Sequence, residues 1–230
     1  MATDTLRRMA GTPPPIVFDC DGVLLDTEAG WTRAETILFE RYGHPYGPEE
    51  KRSLIGLALP EAARRFEEML GQSGRAAELL DEVMDLVAED FRRGVEIMPG
   101  VRELLAELRG TRPMAVASNS YRRLVDLSLQ VAGLDGVFKV VITGDEIERP
   151  KPAPDIYLEA CRRLAVSPTE AVAIEDSPAG VAAARAAGLY VIGIPYLTGL
   201  DLTEANLQAE SLEADEVRTV LHTGGDDGGS

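Results

Sequence analysis

Cysteine is nearly absent from this chain, with Cys20 and Cys161 the only two. Two thiols build no disulfide framework, so stability must come from a buried core. With 230 residues the chain is long enough to bury one. No apolar run approaches the about 20 residues that span a bilayer, and residues 1–15 lack the apolar centre of a secretory signal. Positive charge is also scarce: 23 Lys and Arg face 39 Asp and Glu, for a formal net charge of −16. Nucleic acids and anionic membranes reward basic patches, so neither is expected as a partner. A small anionic substrate stays compatible, because a metal and one lysine can make a site locally positive. No G-x-x-x-x-G-K-[ST] loop and no internal repeat occur, which leaves ATP-dependent transfer without support. The expectation is a cytoplasmic enzyme, a monomer or weak dimer, acting on a small molecule.

What is present is an alternation of short apolar runs with amphipathic segments, the pattern of a parallel sheet flanked by helices. Strands are expected at 15–19, 114–118, 140–143, 171–175 and 190–194, and helices at 101–109, 122–132, 155–164 and 178–187. Ser177 followed by Pro178 reads as an N-cap and first-turn pair, Gly188 as a C-cap, and Ser167 with Glu170 as a capping box. Between about Gly30 and Gly94 the alternation stops. Leu59, Ala62, Ala63, Phe66, Met69 and Leu70 recur at helical spacing, as do Ala76, Leu79, Leu80, Val83, Val87 and Phe91. The division expected is a disordered lead-in at 1–12, an α/β core at 13–29 and 95–222, an inserted all-helical cap at 30–94, and a disordered tail at 223–230.

The chemistry gathers at strand ends. Asp19 and Asp21 follow the apolar run Ile16-Val17-Phe18, and strand alternation turns both the same way while Cys20 enters the packing. Two carboxylates so close repel unless a cation stands between them, so the pair points to a metal and a nucleophile. Ser118-Asn119-Ser120 ends the second strand, Arg149-Pro150-Lys151-Pro152 follows the third, and Glu175-Asp176 ends the fourth. Ligands of open α/β sheets bind at that carboxyl edge.

These four groups, in this order, resemble the motifs of the haloacid dehalogenase (HAD) superfamily. The segments 18–28, 149–155 (R-P-K-P-A-P-D) and 174–188 (I-E-D-S-P-A-G-V-A-A-A-R-A-A-G) are similar to the branch that holds β-phosphoglucomutase and sugar-phosphate phosphatases. The resemblance covers about 16–194. It implies a Rossmann-like three-layer core with a parallel central sheet and an inserted helical cap, Mg2+ as cofactor and a small phosphorylated metabolite as substrate. Asp19 is then the nucleophile, ionised without help. Asp21 is the acid and base, and Lys151 offsets the clustered negative charge. Ser118 and the Asn119 amide bind phosphoryl oxygens. The metal falls among Asp19, Asp21, Glu175 and Asp176, with Asp19 and Asp176 the leading ligands.

Each residue has a plainer reading. Glu175-Asp176 can decorate a helix N-terminus, Lys151 can be a solvated loop lysine, and Ser118 can be a helix cap. Thr27 is a helix-start residue that can also see substrate. Trp31 either packs within the cap or forms an aromatic wall against substrate. Arg122 and its neighbour Arg123 either lie on the surface or reach a phosphate, and His44 has no expected role.

Mutases of this branch carry a histidine ten residues after the second catalytic aspartate, where this chain has Trp31. They also carry a lysine before, and an arginine after, a cap-loop glycine; here the loop reads Leu54-Ile55-Gly56-Leu57-Ala58-Leu59. Without those cations a second phosphate loses its partners. The expected reaction is hydrolysis of a small phosphate monoester, a sugar or polyol phosphate, through an aspartyl-phosphate. A sugar-phosphate mutase is the alternative, and a non-catalytic binding protein on the same core comes behind it.

Overall fold

Ile16, Val17 and Phe18 have no solvent exposure at all, and they form β1 (Ile16–Phe18) in the interior of the sheet. A strand buried on both faces needs apolar side chains in succession rather than in alternation. The computed structural model describes residues 13–54, 57–196 and 199–222. The expected lead-in and tail lie outside the described residues, as do Ile55 and Gly56 of the cap loop.

Six strands form one parallel sheet in the order β5 (Val140–Thr143), β4 (Met114–Ser118), β1, β6 (Val172–Glu175), β7 (Tyr190–Gly193) and β8 (Leu207–Gln208). β1 pairs in register with β4 on one side and β6 on the other, Val17 opposite both Ala115 and Ala173. The chain thus passes from β1 to one flank and returns later to the other, which opens a crevice at the carboxyl end of β1. One core face gathers Phe18, Leu104, Val116 and Ile174, and the other gathers Val17, Ile142, Tyr157 and Val191. Burying each such side chain contributes on the order of 1.5–3 kcal/mol.

A two-residue antiparallel ribbon of β2 (Leu25–Asp26) and β3 (Glu96–Ile97) brackets a run of four helices. These are α1 (Glu28–Arg41), α2 (Pro48–Leu54), α3 (Leu59–Met69) and α4 (Ala76–Phe91). They bury their own apolar cluster, in which Leu38, Phe66, Leu79 and Val83 meet, and Phe39 stacks edge-on against Phe66. Leu124 of α6 (Arg122–Val131) joins that cluster, so the helical insert rests on the sheet domain through α6. The remaining helices are α5 (Val101–Leu108), α7 (Asp155–Leu164), α8 (Pro178–Ala187) and α9 (Asp215–His222). Among the described residues no helix is long and apolar enough to cross a membrane.

The capping box expected at Ser167 and Glu170 does not form. Ser167 Oγ pairs with Thr169 Oγ1 at 2.9 Å, and the segment makes only a short 3-10 turn before β6 begins at Val172. A capping box needs a full α-helical first turn, and none follows. Ser177 does cap α8, accepting from the Gly180 amide at 3.2 Å, and Gly188 ends that helix at φ +94°.

Candidate active site

The carboxyl ends of β1, β4 and β6 and the loop after β5 converge on a cavity of about 420 Å3, whose other wall is formed by α1, α2 and α3. Asp19, Asp21, Asn119, Lys151 and Asp176 line its floor. The sequence spacing therefore brings together side chains from four separate strand ends.

Lys151 is the hub. Its ammonium is 2.5 Å from Asp19 Oδ1 and 2.6 Å from Glu175 Oε1, and it is almost wholly buried. The Asn119 side chain holds the backbone of that lysine at both ends, accepting from its amide at 2.9 Å and donating to its carbonyl at 3.2 Å. The expected substrate contact of Asn119 was through its own amide; the side chain has a second task. Burial opposes the charge on Lys151, yet Asp19 and Glu175 outweigh it and push the lysine above its ordinary range. Burial also pushes Asp19 up to about 8, with Glu175 and Asp21 adding to the rise and Lys151 opposing it. Burial, then Asp19 and Glu175, drives Asp176 upward as well.

One ammonium among so many carboxylates leaves the site short of positive charge. Asp19, Glu175 and Asp176 offer oxygens within 4.8 Å of one another, a donor set suited to a hard divalent cation. The three are not equally free. Glu175 is fully buried and accepts from Lys151, from the Tyr157 hydroxyl, from the Asp176 amide and from Ser177 Oγ. Among the described residues, Asp19 has only Oδ1 engaged and the Asp176 carboxylate accepts no hydrogen bond. Two glycines make these positions possible. A Cβ on Gly22, at φ +85°, would lie 2.3 Å from Asp176 Oδ2, and one on Gly180 would lie 1.9 Å from the Glu175 carboxyl carbon.

The Asp21 side chain, expected at the metal site, lies outside the three whose oxygens gather within 4.8 Å. Its Oδ1 accepts from Thr27 at 2.7 Å, and its Oδ2 from Ser118 at 2.8 Å and Ser120 at 3.0 Å. Three hydroxyls hold the carboxylate away from Glu175 and Asp176. For the same reason Ser118, fully buried, faces Asp21 rather than the cavity, and Ser120 takes its place in the lining. Thr27 is also fully buried and steadies Asp21 instead of touching the cavity.

Trp31 does line the cavity. Arg122 does not: its guanidinium donates to the Val141 carbonyl at 2.7 Å and pairs with Glu146 and Asp126 on the outer side of the sheet. Arg123 pairs with Asp85 of α4. His44 is exposed. Sequence reasoning missed Glu28, Glu35 and Lys51, which line the opposite wall, and Tyr196, whose hydroxyl donates to Asp26 at 2.8 Å. On an amphipathic helix, isolated charges carry no sign of which will face a cavity.

A family model described as haloacid dehalogenase-like hydrolase matches residues 16–194. The chain is 35% identical to validoxylamine A 7'-phosphate phosphatase of Streptomyces hygroscopicus subsp. limoneus, over 88% of this chain and 94% of that protein. It is 33% identical to a phosphorylated carbohydrates phosphatase of Thermotoga maritima, over 90% and 97% of the two chains. Among solved structures, CbbY of Rhodobacter sphaeroides in complex with phosphate superposes with a TM-score of 0.81 at 29% identity, covering 92% of this chain and all of that one.

Proposed function

The chain belongs to the haloacid dehalogenase-like hydrolases, and from that we propose that it is a Mg2+-dependent phosphatase of a small phosphate monoester, a sugar or polyol phosphate. The observation that carries this reading is the pair formed by Asp19, fixed by Lys151 at the cavity floor, and Asp21, fixed by Thr27, Ser118 and Ser120 two residues on. The named activities of the two phosphatase relatives support the same substrate class.

In this mechanism the Asp19 oxygen not held by Lys151 attacks phosphorus, and the bond from phosphorus to the alcohol oxygen breaks. Asp21 gives its proton to the departing alkoxide. The aspartyl-phosphate is then attacked by water, whose proton returns to Asp21, and the bond to Asp19 breaks to release phosphate. Lys151 keeps Asp19 in place and neutralises part of the charge that gathers. Asp19 and Asp176, with Glu175 beside them, would hold Mg2+, which when bound offsets the repulsion between carboxylate and phosphate. The Asn119 backbone amide is the donor offered to phosphoryl oxygens, while the Ser120 hydroxyl, like that of Ser118, is spent on Asp21.

A mutase needs a free cation in the cap for a second phosphate. Among the described residues, the cap cation that lines the cavity is Lys51, and it is tied to Glu28 and Glu35. Phosphate release from a panel of sugar and polyol monophosphates, with Mg2+ and with EDTA, tests the proposal. Release that needs Mg2+ and no bisphosphate activator is expected. Turnover that survives chelation, or that isomerises substrate without freeing phosphate, would overturn it.

A further inference from the structure

The cavity has a second wall, and that wall is charged. Glu28 and Glu35 lie two turns apart on one face of α1. Lys51 of α2 reaches both, with its ammonium 2.7 Å from Glu28 Oε2 and 3.2 Å from Glu35 Oε2. Glu35 is further satisfied by the Tyr46 hydroxyl. Glu28 Oε2 is buried against the same ammonium and has no other partner among the described residues. Between the two acids the ring of Trp31 faces the same cavity, and Leu54 and Phe66 extend the apolar surface.

The charge count decides what such a wall accepts. Two carboxylates face one ammonium that both already engage, and no arginine lines the cavity among the described residues. A second phosphate or a carboxylate on the ligand would meet like charge with no free cation to offset it. A hydroxyl or ammonium donor instead meets a wall whose carboxylates outnumber its cation two to one, and the indole suits an uncharged or cationic group.

We propose that Glu28, Glu35, Lys51 and Trp31 select the leaving group, taking an alcohol that presents hydrogen-bond donors and rejecting one that carries a second anion. This rests on the phosphatase reading for the other end of the ligand. It assigns the alcohol's chemical class: a hydroxyl-rich or amine-bearing alcohol with a single phosphate.

The chain has one tryptophan, and it is Trp31, so its fluorescence reports occupancy of this wall without turnover. Asp19→Asn protein with Mg2+ would be titrated with glucose 6-phosphate, glucosamine 6-phosphate, 6-phosphogluconate and glucose 1,6-bisphosphate. The first two are expected to bind at least about tenfold more tightly than the two ligands with an added anion. Tighter binding of the amine than of the neutral sugar would mark an ammonium as the preferred donor; equal binding would mark a hydroxyl. Adding Glu28→Gln or Glu35→Gln should shrink the gap by about threefold or more. Anionic ligands that bind as well as glucose 6-phosphate, a gap that neither glutamine variant moves, or no saturable change with any of the four would each overturn the assignment. Phosphate release by the wild-type protein is measured apart, so a failure of hydrolysis leaves the binding order readable.

Discussion

Lys151 and Asp19 lie 132 positions apart in the chain and meet at 2.5 Å, both side chains almost wholly buried. The contact ties the loop after β5 to the end of β1. It also fixes one oxygen of Asp19 while leaving the other available. A carboxylate held this way is both positioned and crowded, because Glu175 shares the same ammonium.

Asp19→Asn should therefore separate chemistry from folding. Phosphate release is expected to fall by at least about three orders of magnitude. The melting temperature at pH 7 should stay equal or rise, since one of the crowded carboxylates is gone. Retained turnover would remove the nucleophile assignment. A collapse of the melting temperature would show instead that the ion pair mainly holds the fold.

Gly22→Ala tests the close approach beneath Asp176. The left-handed backbone at φ +85° disfavours a side chain, and the new Cβ would sit 2.3 Å from Asp176 Oδ2. Strain of about 1–2 kcal/mol should appear in thermal unfolding. Displacement of the carboxylate should lower kcat by about a hundredfold. If alanine is accepted with kcat unchanged, Asp176 is not needed at its observed place.

Arg122→Ala should be nearly silent in catalysis, with kcat/KM within about twofold of the wild-type value. The guanidinium faces Val141, Glu146 and Asp126 rather than the cavity. Its partly exposed pairs are worth roughly 0–1 kcal/mol in stability. A large rise in KM would show that the arginine reaches substrate after all.

Much of the fold was legible because parallel-sheet strands are short, apolar and bounded by turn residues. The expected ranges of β4, β5, α7 and α8 match the observed elements to the residue. β2, β3 and β8 were not visible, since two paired residues such as Leu25–Asp26 leave no periodic trace. α9 was missed although Val217, Val220 and Leu221 bury one face of it, because a single short stripe beside a polar tail reads as loop. The floor of the site was legible as residue types at strand ends. Which way they turn was not. Ser118 and Thr27 face Asp21, and only the tertiary placement of three hydroxyls around one carboxylate decides that.

Within the helical insert, Asp90 of α4 accepts from Arg33 of α1 through both oxygens, at 2.9 and 2.7 Å. The hydrogen bonds from Arg33 hold Asp90 below the usual carboxylate range. A depressed folded value means the stabilisation is present above the unfolded value near pH 4 and is lost as pH falls through the folded one. Asp90→Asn should cost about 1 kcal/mol at pH 7, because Arg33 is 58% exposed and partly screened. The difference in unfolding free energy from wild type should close toward pH 3 and below. A gap that is the same at pH 3 and pH 7 would show that charge on Asp90 is not its source.

The ribbon of β2 and β3 has a consequence for how such a chain can diversify. Both crossings between the sheet and the helices run through that one pair, Leu25 opposite Ile97 and Asp26 opposite Glu96. The ends of the insert are thus clasped together, and the entropy of closing it is lost once, at the clasp, growing only slowly with the length enclosed. Helices of another length or another face can hang from the same clasp while the carboxylates below keep their places. The molecule is in this sense a fixed tool with an exchangeable grip: the phosphoryl chemistry is common stock, and the choice of alcohol is a detachable fitting.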